Sequence, residues 1–393
     1  MRSEKFEFTG FDGSTLAGRL DRPVEPPRAV AIFAHCFTGS KDLLASRRIS
    51  QRLAGRGVAV LRFDFTGLGD SEGEFENSNF TSNIEDLVAA AKALEERLEG
   101  PSMLIGHSLG GAAVIAATKR IPGIKAVATI GAPADPGHVS HNFGKWIEEI
   151  ETEGEAEVCL AGRPFTIRKH FLDDIASAKL DDALPKLDAA LLVMHAPLDV
   201  TVGVDNASAL FMKAKHPKSF VSLDDADHLL TRSADADYAA SVIATWSAKY
   251  LSLPKTDLPQ PDKGVRAFER DPTGYLNRVL APRDRLVFGD EPKRVGGTDL
   301  GFSPFEMVGA GLSVCTTMTM RMYANRKGWE MDGAQVDVTW AQEDRHNATF
   351  TRLVKLDPSL SEDQRDRLIE IADKCPVHRM LEGTIKVNTV KAE

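Results

Sequence analysis

The sequence predicts an α/β chain: a mostly parallel, doubly wound sheet over residues 1–251, then a linker and a second, smaller domain. Three observations carry this. Short apolar runs bounded by turn residues alternate with stretches of helical spacing. A Pro-rich segment without apolar periodicity, "SLPKTDLPQPDKG" at 252–264, interrupts the chain. The length of 393 residues exceeds what one hydrophobic core usually organises.

The runs are "AVAIFAH" (29–35), "VAVLRFDF" (58–65), "SMLIGH" (102–107), "KAVATIGAP" (125–133) and "AALLVMHA" (189–196), with helical segments such as "TSNIEDLVAAAKALEERL" (81–98) between most of them. Strands that are apolar throughout, alternating with helices, imply a parallel sheet covered on both faces. Ligands of such sheets bind at the carboxyl ends of the strands, so the residues following each run are the candidates for chemistry.

"IGHSLGG" follows the third run. Gly106-His107-Ser108-Leu109-Gly110 fits the G-x-S-x-G nucleophile elbow, with a buried strand before it and the small-residue helix "GAAVIAATKR" after it. The glycines allow close strand–helix packing around a turn that presents the Ser108 hydroxyl. The backbone N–H of Leu109, at the helix start, then faces a developing oxyanion. A serine hydroxyl requires a base, and the base an orienting carboxylate, in the chain order Ser, acid, His. Asp199 in "MHAPLDVTV" is the expected acid, and His228 in "LDDADHLL" the expected base. Asp205, Asp224, Asp225 and Asp227 are the competing carboxylates.

These motifs, with "AHCFTGSKD" (34–42) and "RFDFTGLGDSEG" (62–73), resemble in order and spacing the α/β-hydrolase superfamily, in its small esterase and serine-aminopeptidase-like branch. The resemblance implies a second oxyanion donor, the N–H of Phe37, in a loop where Cys36 stands in place of the usual glycine. His35 is expected to brace that loop and Cys36 to fill space. The resemblance also implies that the segment at about 134–185 is a small cap. Its Phe143, Trp146, Phe165 and Phe171 either line an acyl pocket or fasten the cap to the body. Cys159 lies in the same insert.

In the last 130 residues, "GFSPFEMVGAGLSVCTTMTMRMYANRKG" (301–328) predicts a helix opened by a capping box, with Ser303 as N-cap and Glu306 three residues on. Cys315 lies near its middle. "SEDQRDRLIEIADKC" predicts a second capped helix that ends at Cys375, since Pro376 cannot continue it. A helix C-terminus disfavours a thiolate, which suits Cys375 to a resolving role. Cys315, Cys375, His346 and His378 lack the close paired spacing of a zinc site, so no metal is expected. Packing alone and a redox couple remain. Residues 265–393 resemble the osmotically induced protein C (OsmC) and organic hydroperoxide resistance family, through "GDEPKRVGGTDLGFSPFEMVGAGLSVCTTMTMRMYANRKGW" and "LIEIADKCPVHRML". That resemblance implies an α+β domain pairing into intertwined dimers. Cys315 would attack a peroxide, Cys375 would close a disulfide, and Glu306 would be the active-site acid. Family peroxidases activate the first thiol with an arginine from an early loop, and Arg278, Arg283 and Arg285 lie in the corresponding region. Met307, Leu312, Met318 and Met320 around Cys315 favour an organic hydroperoxide, with a dithiol as reductant.

Composition narrows the rest. Hydrophobic residues at 42% and charged residues at 27% suit a soluble globular protein. Residues 263–393 carry 20 basic and 20 acidic side chains, so the net −9 lies wholly in 1–262; neither half offers a basic stripe for nucleic acid. No apolar run is long enough to span a membrane. Four cysteines without an export signal point to reduced thiols and a cytoplasmic location. The expected protein is a cytoplasmic fusion without cofactor: a serine hydrolase of small-molecule acyl esters joined to an OsmC-like thiol peroxide reductase, assembled as a homodimer or higher. The alternative is an aminopeptidase-like serine peptidase whose C-terminal domain serves only oligomerisation.

Overall fold

In the computed structural model, which describes residues 1–24, 26–160, 162–251, 259–269, 274–283, 285–344 and 347–391, the apolar runs of the first half become neighbouring strands of one eight-stranded sheet. The chain divides into two units, Met1–Thr256 and Asp257–Glu393. Residues 252–258 of the expected linker lie outside those described.

The first unit begins with an antiparallel pair, β1 (Arg2–Thr9) and β2 (Thr15–Arg22), which the sequence reading did not single out. Then come β3 (Ala29–Ala34), α1 (Leu44–Gly55), β4 (Val58–Phe63), α2 (Phe80–Arg97), β5 (Met103–His107), α3 (Leu109–Ala117) and β6 (Ala126–Ile130). An insertion follows, with α4 (Trp146–Glu153), the hairpin β7 (Glu155–Leu160) and β8 (Arg163–Arg168), and α5 (Lys169–Ser177). The sheet resumes with β9 (Ala190–His195), α6 (Asp205–Lys213), β10 (Lys218–Ser222) and α7 (Ser233–Ser247). Strand order is β1-β2-β4-β3-β5-β6-β9-β10, parallel from β4 to β10.

Every residue of β3, β4, β5, β6 and β9 is buried, because both faces are covered. Alternate side chains enter two cores. Ile32, Leu61, Leu104 and Leu191 pack on the face of α2, α3 and the insertion, while Phe33, Val60, Ile105 and Leu192 pack on the face of α1 and α7. Each such side chain contributes roughly 1.5–3 kcal/mol. The rigid product is a row of strand ends from which the loops bearing Phe37, Ser108, Asp199 and His228 emerge.

The second unit holds an antiparallel sheet of β11 (Arg266–Glu269), β12 (Asn277–Ala281) and β13 (Arg285–Gly289), then α8 (Pro304–Lys327), the hairpin β14 (Ala334–Gln342) and β15 (Ala348–Leu356), α9 (Glu362–Ala372) and α10 (Pro376–Glu382). Helix α8 packs against β14, α9 and α10. Both expected capping boxes form, Ser303 with Glu306 and Ser361 with Gln364. Met320, Ala324, Met331, Leu360, Leu368 and Ala372 make a small core.

One expectation is corrected. The second helix does not run to Cys375: α9 stops at Ala372, and Cys375 is the N-cap of α10. Pro376 ends one helix and also opens the next, since a first helical position needs no N–H and the proline pushes Cys375 to ψ 131°. The helix-end argument against a Cys375 thiolate therefore falls.

Candidate active site

Ser108 sits at the tip of the turn between β5 and α3 with φ 54° and ψ −126°, a backbone that an L-residue adopts only under tertiary constraint. The glycines around it are required by space. A Cβ on Gly106 would lie 2.3 Å from the Gly110 carbonyl oxygen, and one on Gly110 would lie 2.4 Å from that of His35. The Ser108 hydroxyl donates to Nε2 of His228 across 3.0 Å, and Nδ1–H of His228 donates to Oδ2 of Asp199 across 2.6 Å. The N–H groups of Thr201 and Val202 hold Oδ1 of Asp199 at 2.9 Å each. Burial alone would raise the Asp199 carboxyl, but the His228 hydrogen bond and these backbone donors bring it below the usual carboxylate range.

The His228 imidazole bonds Asp199 and not the competing carboxylates. Asp205 begins α6, Asp225 pairs with Arg232, and Asp227 caps the N–H groups of Leu229 and Thr231. The Asp224 N–H binds the Ser222 hydroxyl at the start of that loop.

Three histidines brace the loops. Nδ1–H of His35 donates to the Cys36 carbonyl at 2.8 Å, Nε2–H of His107 to the His228 carbonyl at 2.6 Å, and Nε2–H of His195 to the Val202 carbonyl at 2.7 Å. Each occupies the end of a central strand or the residue after it. Burial lowers all three below the ordinary histidine range, His107 to about 4. Cys36 is buried and pushed up to about 11, so it is a filler thiol; Cys159 is exposed on β7.

A cavity of about 330 Å³ opens over Ser108, lined by Phe37, Leu109, Val139, Asn142, Leu160 and Leu229 among others. Leu109 is the first residue of α3, so its N–H has no partner within the helix. The cap aromatics do not line this cavity. Phe143 and Phe171 are buried against the Phe37 ring, and Phe165 packs on Phe75, so these rings fasten the cap to the body. The apolar lining comes instead from Val139 and Leu160, which the sequence did not distinguish from other cap residues.

In the second unit, α8, which carries Cys315, packs against α10, whose N-cap is Cys375; Cys315 is half-buried and Cys375 fully buried. Glu306 is not brought to them. It lies nine positions earlier on the same helix, roughly 13 Å of axial rise away, and its carboxylate accepts the Ser303 N–H at 2.7 Å. Leu312 and Met320 face inward, leaving Met318 as an exposed side chain one turn from Cys315. Nε–H of Arg285 donates to the Pro282 carbonyl. A cation that sequence reasoning missed, Arg352 on β15, binds neighbours of the two cysteines. Its guanidinium donates to Thr316 Oγ1 at 3.1 Å, to the Ala372 carbonyl at 2.9 Å, to Asp373 Oδ1 at 2.6 Å and to His378 Nδ1 at 3.2 Å. His346 lies outside the described residues. Among those described, no cluster of metal-ligating side chains occurs, and no helix is long and apolar enough to cross a membrane.

A family model described as serine aminopeptidase, S33, matches residues 25–156, and one described as OsmC-like protein matches residues 297–390. The esterase domain of a Rhodothermus marinus protein is 47% identical, with a TM-score of 0.54, and covers 64% of this chain and 100% of its own. A monoacylglycerol lipase from Mycolicibacterium smegmatis is 29% identical over 53% of this chain and 83% of its own. The mouse mitochondrial palmitoyl-protein thioesterase ABHD10 is 35% identical over 32% of this chain and 42% of its own. The chain belongs to the α/β-hydrolase family over its first unit and carries an OsmC-like domain after it. Its first unit is a hydrolase.

Proposed function

We propose that the first unit hydrolyses carboxylic acyl esters through a Ser108–His228–Asp199 triad. The observation that carries this reading is the unbroken hydrogen-bond chain from the Ser108 hydroxyl to the Asp199 carboxylate. His228 takes the hydroxyl proton as Ser108 attacks the acyl carbon, and Asp199 holds the imidazole with Nδ1 protonated and stabilises the imidazolium. The N–H groups of Phe37 and Leu109 receive the oxyanion. His228 then returns its proton to the leaving alkoxide, and a water activated the same way releases the acid.

Esters are favoured over aminoacyl peptides because no Asp or Glu lines the cavity among the described residues, so a substrate ammonium group would lack a counter-charge. A panel of p-nitrophenyl esters against aminoacyl p-nitroanilides tests this. Ester turnover with negligible anilide turnover is expected, and the reverse order rejects the reading.

For the second unit we propose a thiol-dependent reductase of organic hydroperoxides, recycled by a dithiol and working in the cytoplasm, where thiols stay reduced. Its support is the packing of α8, which carries Cys315, against α10, whose N-cap is Cys375. The same unit is proposed to associate with a second copy. Val314, Met318 and Met322 on α8, Leu286 and Val287 on β13 and Leu353 on β15 are all at least 40% exposed, more apolar surface than a small monomer usually leaves in water.

A further inference from the structure

The Phe37 N–H makes no hydrogen bond among the described residues, as an oxyanion donor requires. Its direction is set from the other side of its peptide. The Cys36 carbonyl accepts Nδ1–H of His35 at 2.8 Å and the N–H of Gly39 at 2.9 Å. A trans peptide places its carbonyl and its N–H on opposite sides, so holding the Cys36 oxygen fixes where the Phe37 N–H points.

The Gly39 bond closes a four-residue turn, Cys36-Phe37-Thr38-Gly39, with Thr38 in its third position at φ 54°. Glycine is favoured at such a position. A β-branched residue at positive φ is strained and persists only where its surroundings impose the conformation. The side chain that grips Thr38 comes from the cap. Arg163, the first residue of β8, donates from Nη2 to the Thr38 carbonyl at 2.5 Å, and its guanidinium lies 5.2 Å from the centre of the Phe165 ring. Without that bond the Thr38 backbone can relax to negative φ. The relaxation disturbs the turn whose closing bond orients the Cys36–Phe37 peptide.

The cap does not depend on Arg163 for its attachment. Arg168, at the other end of β8, donates to Glu76 Oε1 and Asn77 Oδ1 at 2.5 Å each. Asp174 on α5 accepts the N–H and the hydroxyl of Thr81 on α2, and Phe143 and Phe171 pack on the Phe37 ring. Arg163 is the cap cation that reaches the backbone next to the oxyanion donor, and a charge-assisted bond is the stronger kind for holding a strained carbonyl in place.

We propose that Arg163 is a positioning residue for ester hydrolysis: through the Thr38 carbonyl it keeps the oxyanion loop in the strained form that presents the Phe37 N–H. The cap then contributes to transition-state stabilisation as well as walling the cavity. This rests on the reading of the Phe37 N–H as an oxyanion donor to a Ser108 ester intermediate.

Steady-state hydrolysis of p-nitrophenyl acetate by the full chain, with inhibition by benzeneboronic acid, tests the assignment. The boronate that forms on the serine is tetrahedral and mimics the transition state, so it reports the oxyanion site apart from ground-state binding. Arg163→Ala should lower kcat roughly 10- to 100-fold, leave KM within about twofold, and weaken boronate inhibition in step with kcat. Arg163→Lys, which keeps a cationic donor, should recover part of both losses. Arg168→Ala, which loosens the cap seam away from the oxyanion loop, should keep kcat within about threefold of the parent. An Arg163→Ala enzyme with parental kcat and boronate inhibition overturns the proposal. So does a loss carried wholly by KM, or an equal loss of kcat in Arg168→Ala, which would make the effect one of cap attachment. Ser108→Ala in the same assay separates the two readings: parental turnover there rejects the triad, whereas an unaffected Arg163→Ala in an enzyme that needs Ser108 rejects only the role of Arg163.

Discussion

The rings of His107 and His228 lie 5.3 Å apart, centre to centre, and Nε2–H of His107 donates to the backbone carbonyl of His228 at 2.6 Å. The residue before the elbow serine therefore holds the loop of the base. His107 Nδ1 is buried without a protein partner, so the ring is neutral with its one proton on Nε2. A charge on His107 would oppose the imidazolium that His228 must become during turnover. Burial, aided by the neighbouring His228, prevents that charge by lowering His107 to about 4.

This sets the acid limb of stability. The unfolded chain protonates His107 near pH 6.5 and the native chain only near 4, so native stability is full above ~6.5 and falls as pH drops through that window. For His107 the loss at pH 5 is about 2 kcal/mol, and His35 and His195 act in the same direction. Thermal melting of the full chain should show the first unit's transition falling from pH 7 to pH 5, with a flatter dependence in His107→Asn. A transition equally stable at both values contradicts this.

Asp199→Asn should lower kcat for ester hydrolysis by roughly 10³–10⁴-fold, because the amide cannot hold the productive histidine tautomer. Asp205→Asn and Asp227→Asn should stay within about twofold of the parent, as neither carboxylate touches His228. Steady-state kinetics on the three variants decide which carboxylate orients the base.

Much of this site was legible because its residues follow strands with a clear apolar signature. Ser108 and Asp199 each sit just past a fully buried run, and His228 follows the strand-like "KSFVSL". The bracing histidines left a signal only partly used: His35 is expected as a loop brace, yet the same residue type also closes β5 and β9, at His107 and His195. The N-terminal pair β1–β2 was obscure because β1 buries only Phe6 and Phe8. Arg352 was invisible for a different reason. On an alternating strand such as "TRLVKL" an inward arginine reads like any solvated one, and only tertiary packing reveals its partners. The break at Cys375 followed from the same physics that sequence reasoning applied to Pro376, carried one step further.

The full chain should be at least a dimer at micromolar concentration by light scattering. Met318→Glu or Met322→Glu, placed on the exposed face of α8, should shift it toward monomer by introducing charge into an apolar contact. A full-length monomer without either substitution refutes the association.

Cumene hydroperoxide should convert the two thiols to a Cys315–Cys375 disulfide, detected by peptide mapping, and a dithiol should reverse it. In Cys375→Ser, Cys315 should progress to sulfinic acid instead. Both thiols remaining free under excess hydroperoxide leaves packing as the account of the pair.

Fluorophosphonate labelling with peptide mapping, run beside ester turnover of Ser108→Ala, tests the central claim most directly. The adduct is expected on Ser108 alone, and the variant should lose activity by several orders of magnitude while keeping its melting transition. An adduct on another residue, or ester turnover in Ser108→Ala close to that of the parent, contradicts the account.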